Sequence, residues 1–365
     1  MKKNVLVFNL TPRFWMLHYS SQFCNALAEN YNVFVVLADY YTWDLYNDNI
    51  NVIKVKTNPN LGSFICDSLN ILQHIQLLKK IKRLKPDIIH FIDNHPWYIL
   101  YGKLLKKFWY TIYVTQHDPI LHSWDCKWIQ WKIAVLTNRV LREVSDKLIV
   151  HGENLRNDLI KEYKVKSEKI IVVPHGNYNL FTRWSDGKIK PIENAFLFFG
   201  RIVEYKGIDI LLQSLEFVRK EIPAFKLIIA WSWDTNSYKS LLDKYSQNVM
   251  LYNQNIPDEE IYRYFEMAEF VVLPYKDATG SGVIPLAFAF SKAVIVSNVW
   301  ELWSVTKEAN GGYIIEDLTP KNLAIEIIKC IKDKKNTIQL WRNGREYTET
   351  KLWWNTIVND IYFVE

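Results

Sequence analysis

Two basic residues, Arg201 and Lys206, lie between an apolar run at 195–199 and an amphipathic run that begins at Ile208. This order predicts a strand, a short loop and a helix, with both cations on the loop. An arginine can contact two phosphate oxygens at once, and a lysine adds a compact positive charge. The segment therefore predicts a site where two cations converge on one anionic group.

A second segment has the composition of an anion-binding turn. It consists of Thr279, Gly280, Ser281, Gly282 and Val283, just before a predicted helix that carries Pro285 in its first turn. Proline fits the first turn of a helix, and the bare backbone N–H groups at such a start attract anions. Either segment alone is most simply a solvated loop, but both in one α/β domain predict a diphosphate site.

His117 is the leading candidate for chemistry in the first half of the chain. It follows a strand predicted at 110–115, and ligands of parallel sheets bind at the carboxyl ends of the strands. We expect it to contact a transferred group or an acceptor. The next residue, Asp118, is either a second polar contact or the cap of a turn that continues with Pro119, and the cap is slightly favoured.

Two further histidines stand at comparable positions. His95 follows a strand predicted at 87–92, and a role in the cleft and a role in packing are equally consistent with that position. His175 precedes Gly176 close to the start of a predicted linker, so it belongs either to the site or to a turn.

Length and composition indicate a folded protein of two domains. The 365 residues exceed one ordinary core of roughly 150 to 200 residues, and 49% hydrophobic with 23% charged residues excludes a disordered chain. No apolar run reaches the ~20 residues of a membrane-spanning helix, and the first residues fit a buried strand better than a signal peptide. The four cysteines have no paired spacing, which predicts neither a disulfide framework nor a zinc site and fits a reducing cytoplasm.

Apolar runs alternate with helical periodicities along the chain, which predicts an α/β fold of two facing Rossmann-like domains. Each domain is expected to contain a mostly parallel sheet covered by helices. The predicted organisation is a first domain at 1–175, a linker at 176–194, a second domain at 195–345 and a terminal helix at 346–365 that returns to the first domain. Strands are predicted at 4–8, 32–37, 51–55, 87–92, 110–115, 147–150, 169–173, 195–199, 226–231, 249–252, 270–273 and 293–297. Helices are predicted at 19–29, 68–84, 97–107, 124–144 and 153–163, and from Ile208, Asn236, Asp258 and Val283.

Three stretches of the second half, FGRIVEYKG, LPYKDATGSGVIPLAFAFSKAVIVSNV and GGYIIEDLTPKNLAIEIIKCI, resemble the carboxyl-terminal domain of family 4 glycosyltransferases, which have the two-domain GT-B fold. The resemblance covers roughly 170–335 well, and PDIIHFIDNH, TQHDP and VVPHGNYNLF extend it less specifically into the first half. It implies transfer of a sugar from a nucleotide diphosphate donor, with retention of configuration, without a cofactor and without an obligatory metal.

The resemblance also implies roles for individual residues. His117, Arg201 and Lys206 are the expected catalytic residues, and Arg201 and Lys206 bind the donor together with Thr279, Gly280, Ser281, Gly282 and Val283. Expected contacts of the acceptor or the sugar are Arg13, His95, Asp118 and His175. Arg13 belongs to this group because the loop 9–18 lacks the glycines often found there. The expected acceptor is a saccharide or a lipid-linked saccharide in surface polysaccharide biosynthesis.

The chain departs from the family at two positions that are usually glutamates, where it has Thr279 and Ala287. Threonine can still bind a sugar hydroxyl, but alanine cannot bind a ribose diol. Asp277, two residues before Thr279, is a candidate substitute for the missing carboxylate. The departure keeps open an alternative, a non-catalytic relative that acts as a partner or regulatory subunit. Another enzyme on the same fold, such as a nucleotide-sugar epimerase, has less support from the residues, and the basic residues form no nucleic-acid reading motif.

The basic residues suggest contact with an anionic membrane surface. The segment 101–142 has seven Lys or Arg and the tryptophans 109, 124, 128 and 131, and a second basic cluster lies at 79–85. Such a surface is typical of peripheral membrane proteins, although tryptophans at helical spacing are more often core residues. The expected location is the cytoplasm, with attachment to the inner face of the membrane as an option.

Overall fold

The structure is a computed structural model that describes residues 2–11, 14–40, 44–58, 60–117, 128–201, 203–231, 236–278 and 281–363. The chain forms two compact units. The first consists of Met1–Gly176 together with Trp354–Glu365, and the second of Asn177–Trp353. Arg13, Asp118, Thr279 and Gly280 lie outside the described residues.

The first unit alternates strands and helices around a parallel sheet. Its strands are β1 (Asn4–Asn9), β2 (Asn32–Ala38), β3 (Asn51–Val55), β4 (Ile88–Phe91), β5 (Thr111–Thr115), β6 (Lys147–Val150) and β7 (Ile170–Val172). Its helices are α1 (Phe14–Leu27), α2 (Leu61–Leu69), α3 (Ile71–Leu84), α4 (Tyr98–Lys107), α5 (Trp128–Val144) and α6 (Glu153–Tyr163). The strand order is β3-β2-β1-β4-β5-β6-β7, and every pairing is parallel.

The second unit repeats this layout. Its strands are β8 (Ala195–Phe199), β9 (Lys226–Ala230), β10 (Val249–Tyr252), β11 (Phe270–Leu273), β12 (Ala293–Ser297) and β13 (Gly312–Ile315). Its helices are α7 (Ile208–Glu221), α8 (Lys239–Lys244), α9 (Ile261–Met267), α10 (Val283–Ala289), α11 (Trp300–Ala309), α12 (Pro320–Lys332) and α13 (Lys334–Thr350). The strand order is β10-β9-β8-β11-β12-β13, again with every pairing parallel.

The strands form because they are apolar on both faces, as parallel sheets covered by helices require. All five residues of β8 and all five of β12 are buried, and so are residues 5–9 of β1. The predicted fold class, two largely parallel α/β sheets covered by helices, is therefore confirmed. Four elements were not predicted from the sequence: α11, β13, α12 and α13.

The helix predicted at 68–84 is instead two helices, α2 and α3, with a break at Asn70. The Asn70 side chain accepts a hydrogen bond from the backbone N–H of Gln73 and so caps the start of α3. Asparagine competes for backbone donors in this way, which favours a helix boundary over a helix interior.

The segment interpreted as a linker contains a short 3-10 helix, Asn179–Trp184, within the second unit, and its Phe181 is fully buried. The last helix, α14 (Trp354–Tyr362), belongs to the first unit and packs on α1. The hydroxyl of Tyr362 lies 2.8 Å from Nδ1 of the buried His90, which joins the end of the chain to β4. Every helix in the described residues is too short or too polar to cross a lipid bilayer.

Candidate active site

The two cations predicted to bind an anion lie at the switch point of the second sheet. Arg201 and Lys206 follow β8, and the neighbouring strand β11 pairs with β8 through Phe270 and Phe196. The strand order reverses between these two strands, because β9 lies on one side of β8 and β11 on the other. Loops that leave such a pair diverge and open a crevice at the carboxyl ends, where α/β sheets bind their ligands.

Two glycines allow this loop to pack closely. Gly200 has φ +105°, and a Cβ there would lie 2.9 Å from Nζ of Lys206. Gly207 has φ +67°, and a Cβ there would lie 2.0 Å from the carbonyl oxygen of Pro274, the residue after β11. Both conformations favour glycine, because other residues are strained at positive φ. The glycines therefore place the Lys206 ammonium directly against the backbone at the end of β8.

The environment of Lys206 is unusual for a lysine. The side chain is half-buried, and its Nζ lies 5.2 Å from the centre of the Tyr275 ring. Burial and, to a smaller extent, the nearby Arg201 lower the pKa of Lys206, which is about 8. A bound anion at this position would favour the charged form of Lys206, because its negative charge would offset both the burial of the ammonium and the repulsion from Arg201. Arg201 itself is exposed.

Ser281, Gly282 and Val283 form the start of α10, as predicted. Gly282 lies against Tyr178, since a Cβ there would be 3.4 Å from Cε2 of that ring. The N–H groups at this helix start were expected to be bare. That of Val283 is not, because it donates to Oγ of Ser281 at 3.2 Å. An anion at this helix start would therefore compete with the serine hydroxyl.

His117 belongs to a cluster of three histidines in the first unit, which we call the histidine cluster: His117, His151 and His175. The ring centre of His151 lies 4.8 Å from that of His117 and 4.9 Å from that of His175, and His117 and His175 are 5.9 Å apart. The Tyr19 ring packs edge-on against all three. The structure therefore brings His117 and His175 together; their contact with a sugar or an acceptor stays a prediction.

His151 was not predicted from the sequence. The signal was present, because His151 directly follows a predicted strand, as His117 and His175 follow theirs within three residues. What the sequence lacked was the strand order, which makes β5, β6 and β7 neighbours and so brings their carboxyl ends together. The pKa of His151 lies well below its usual value and that of His175 is about 4, in both cases mainly because burial disfavours the charged ring. Both imidazoles are therefore neutral at pH 7.

His95 lies in a different environment. Its ring packs against Phe64, Trp97 and Tyr98, and Nε2 lies 3.4 Å from Oγ1 of Thr57. Burial lowers its pKa to about 3, so the ring is neutral. None of its described ring contacts is with the histidine cluster, so these contacts fit a packing role.

Asp93 is a buried carboxylate at the switch point of the first sheet that the sequence analysis also missed. It follows β4 and accepts hydrogen bonds from the N–H groups of Leu10 at 2.9 Å and Thr11 at 2.5 Å, both just after β1. It also accepts one from the Tyr98 hydroxyl at 2.5 Å. Burial raises the pKa of Asp93, while these hydrogen bonds favour the charged form. The carboxylate thus fixes the loop that begins at Leu10.

Two models of known protein families match this chain. The profile described as glycosyltransferase family 4 matches residues 18–176, and that of glycosyl transferases group 1 matches residues 184–347. Together the two matches cover most of both units. The chain belongs to the family 4 glycosyltransferases.

Individual relatives of this glycosyltransferase are distant. The capsular polysaccharide biosynthesis glycosyltransferase CapM of Staphylococcus aureus is 25% identical over 347 residues, which are 88% of this chain and 86% of CapM. An uncharacterized glycosyltransferase of Methanocaldococcus jannaschii is 24% identical, and that match spans 57% of this chain and only 56% of the relative. Among solved structures, Anabaena Alr3699/HepE in complex with UDP has a TM-score of 0.70 at 15% identity, over 99% of this chain and 98% of HepE. That likeness shows a shared GT-B fold.

Proposed function

We propose that this glycosyltransferase takes a sugar from a nucleotide diphosphate donor and transfers it, with retention of configuration, to a saccharide or a lipid-linked saccharide. The observation that carries the proposal is the position of Lys206, a half-buried cation held by two glycines at the switch point of the second sheet. The bound UDP of the related fold of HepE and the name of CapM support a nucleotide donor and a role in surface polysaccharide assembly.

The part of sugar transfer that most needs stabilisation is the departure of the diphosphate. Negative charge grows on the departing diphosphate as the glycosidic bond breaks, and preorganised cations stabilise it because they need no reorganisation at that moment. Arg201 can hold two phosphate oxygens, and Lys206 adds a point charge from the opposite end of the same loop. This pair supplies the positive charge that other enzymes draw from metal ions, so we propose that transfer is metal-independent and uses no cofactor.

We further propose a front-face substitution, in which the departing phosphate helps to accept the proton of the acceptor hydroxyl. His117 then contacts the transferred sugar or the acceptor, and His175 lies beside it. His117 Nε2 lies 3.0 Å from the carbonyl oxygen of Ile92, and a carbonyl only accepts, so Nε2 carries the hydrogen and Nδ1 can accept one from a hydroxyl.

A non-catalytic role remains the second candidate, because one observation favours it. Ala287, at a position where the family usually has a glutamate, is fully buried in α10 and offers no polar group to a ribose. A chain that only binds a partner would have no need of a charged lysine against Gly200, so the enzyme is the favoured proposal.

Donor binding tests the proposal directly. A panel of UDP, GDP and other nucleotide sugars is added to the full chain, and the melting temperature is measured for the native protein and for Arg201→Ala. A ligand at about 100 times its Kd stabilises the native state by about 2.7 kcal/mol, which is a shift of a few degrees. We expect one nucleotide class to give this shift and Arg201→Ala to lose most of it.

The matched control is Arg263→Ala, which removes an exposed arginine of the same unit whose partner, Glu260, is 3.9 Å away. Its donor-dependent shift should equal that of the native chain. If no nucleotide sugar shifts any of the three proteins, the non-catalytic role replaces the enzyme.

The surface of the first unit supports a lipid-linked acceptor and the inner membrane face as the site of action. Exposed apolar side chains occur on α2, α3 and α5: Ile65, Leu69, Ile71, Leu72, Ile75, Trp128, Ile129, Ile133 and Leu136. Helices α2 and α5 lie near the same strand end, because the loop after β4 hydrogen-bonds to α2 through Trp97 and to α5 through Asn94. Helix α3 follows α2 directly after Asn70. The last turns of α3 carry four exposed basic residues, Lys79, Lys80, Lys82 and Arg83. Such a surface fits anionic lipid headgroups.

Sedimentation with lipid vesicles tests this part of the proposal. We expect the chain to bind vesicles that contain phosphatidylglycerol and to bind pure phosphatidylcholine weakly. Leu69→Ser combined with Leu72→Ser should reduce binding, whereas Phe217→Ser, an exposed apolar residue of the second unit, should not. Equal binding by both variants would remove the membrane from the proposal.

A further inference from the structure

Three histidines end three neighbouring strands of the first unit. His117 follows β5, His151 follows β6 and His175 follows β7, and these strands are adjacent in the sheet. One ring nitrogen of each histidine lies within 4.8 Å of one ring nitrogen of each of the others. Side chains so far apart in sequence converge only because the parallel strands end together.

Backbone carbonyls fix the tautomers of two of these rings. Nε2 of His117 lies 3.0 Å from the carbonyl oxygen of Ile92, and Nδ1 of His151 lies 3.3 Å from that of Val173. A carbonyl oxygen only accepts hydrogen bonds, so each of these nitrogens carries the hydrogen. The other nitrogen, Nδ1 of His117 and Nε2 of His151, then presents its lone pair. Metal-ligating histidines are oriented in the same way, with the second nitrogen donating to a carbonyl or carboxylate.

His151 lacks a hydrogen bond on the nitrogen that this tautomer leaves for a ligand. Its Nε2 is buried and has no hydrogen-bond partner among the described residues. Buried polar atoms are usually paired, and an exception needs an explanation such as an ion.

We propose that His117, His151 and His175 form a binding site for one divalent transition metal ion that prefers imidazole ligands, with Zn²⁺ as the best fit. Zinc takes three histidines readily and leaves a fourth position for water or another ligand. Its Zn–N bonds of about 2.0–2.1 Å place ligand nitrogens roughly 3.3 Å apart, so the rings close by on the order of 1 Å from the separations seen here. Rotations of the side chains can supply such a movement.

The site has a consequence that rests on the proposed function. If His117 contacts the sugar or the acceptor through Nδ1, a metal bound to that nitrogen blocks the contact. Zinc should therefore inhibit sugar transfer, and a chelator should restore it. Donor binding at Arg201 and Lys206 should be unaffected, because neither residue belongs to the cluster.

Metal binding is measured first, without any activity. The full chain is stripped with a chelator and titrated with Zn²⁺ by calorimetry, and with Co²⁺ by visible absorption, which is strong for tetrahedral sites. Cys66 is exposed, so the background carries Cys66→Ser and Cys126→Ser to remove thiols that bind these metals. We expect one ion per chain and an affinity at least about tenfold lower in His151→Gln.

His175→Gln is a second variant, needed because His151 is buried and its replacement can disturb folding. The matched control is His74→Gln, a half-buried histidine of the same unit that bonds to Tyr101 and Ser68 instead. Circular dichroism confirms that each variant is folded. Loss of binding in the folded His151 or His175 variant, with binding kept in the His74 variant, supports the site. Binding that is equal in all four proteins, or no stoichiometric binding, overturns it.

The activity measurement separates the two proposals. Inhibition by zinc that His151→Gln weakens supports both the site and the role of His117. Binding at the cluster without inhibition keeps the metal site and overturns the role of His117. If no donor gives transfer, the proposed function fails, while the zinc titration still decides the metal site.

Discussion

The two units have the same order in their central strands but use the resulting crevice differently. In the second unit the switch point between β8 and β11 carries two glycines and Lys206, a cation with no ion pair in the part of the chain that the structure describes. In the first unit the crevice between β1 and β4 contains Asp93, whose carboxylate binds the N–H groups of Leu10 and Thr11. Topology therefore fixes where a crevice forms, and the side chains decide whether it can receive an anion.

The candidate chemistry of the first unit lies instead at the ends of β5, β6 and β7. His151 and His175 of the histidine cluster there are neutral at pH 7, whereas the second unit presents two cations. Neutral imidazoles suit hydroxyl groups or metal ions, and cations suit a diphosphate. This difference supports the proposal that the donor phosphates bind to the second unit and the acceptor or sugar to the first.

Removal of the Lys206 ammonium should give the largest effect. We expect Lys206→Met to lower kcat/KM by about 10²–10³, the usual cost of losing one preorganised group that stabilises charge in the transition state. Initial rates of transfer with the donor found by thermal shift provide the measurement. Lys244→Met is the control, because its exposed ion pair with Glu216 at 3.4 Å contributes little. A Lys206 variant within threefold of the native rate would show that the second unit needs no buried cation.

The first unit should instead be most sensitive to packing beneath its histidine cluster. A Cβ at Gly176 would lie 2.3 Å from Cζ2 of Trp354, which in turn contacts Tyr19. We expect Gly176→Ala to lower the free energy of unfolding by about 3 kcal/mol, near the upper end for overpacking, as measured by urea denaturation. Gly62→Ala is the control, since its Cβ would meet only Asn60 Oδ1 at 3.6 Å and should be neutral or slightly stabilising. Equal stability of both variants would contradict this packing.

The bounds of six strands could be predicted from local sequence patterns. Strands 51–55, 147–150, 195–199, 249–252, 270–273 and 293–297 have the bounds observed in the structure, because each is a short apolar run between breaks. Strand β13 was missed because it begins with Gly312 and is only half-buried along most of its length. Its identity depends on pairing with β12, where Gly312 lies so close to Val294 that a Cβ would be 2.0 Å from that carbonyl oxygen.

The proximity of the two cations proposed to bind the anion was predictable because they are close in sequence. Arg201 and Lys206 are five positions apart on one loop, so their proximity needs no knowledge of topology. His151 could be recognised only with the order of β5, β6 and β7, which local periodicity does not contain. Asp93 was missed for a similar reason, since its two backbone partners, Leu10 and Thr11, are more than eighty residues away along the chain.

The pH dependence of donor binding sharpens the assignment of the phosphates. Burial lowers the pKa of Lys206 to about 8, so the free protein has the charged form below this pH and loses it above. Donor affinity should therefore be constant below pH 7 and fall about tenfold between pH 7 and pH 9, by calorimetry at constant ionic strength. Lys206→Arg, which stays charged, should bind with little change over this range. A native profile that is flat from pH 7 to pH 9 would contradict a buried cation at the phosphates.

The smallest effect should come from the contact between the end of the chain and the first sheet. Tyr362 Oη lies 2.8 Å from Nδ1 of His90, while Nε2 of His90 lies 2.9 Å from Oγ1 of Thr115. Burial lowers the pKa of His90 to about 3, so this neutral ring needs both hydrogen bonds to satisfy its nitrogens. Tyr362→Phe should lower the free energy of unfolding by about 1 kcal/mol.

A double-mutant cycle with His90→Phe assigns this loss to the hydrogen bond, because the coupling energy should account for most of it. Coupling near zero would mean that the stacking of Tyr362 on Tyr113, at 5.5 Å between ring centres, holds the helix by itself. In that case packing alone would hold α14 against the first sheet, without a polar contact. The switch point of the second unit would differ, because its proposed role depends on the Lys206 cation.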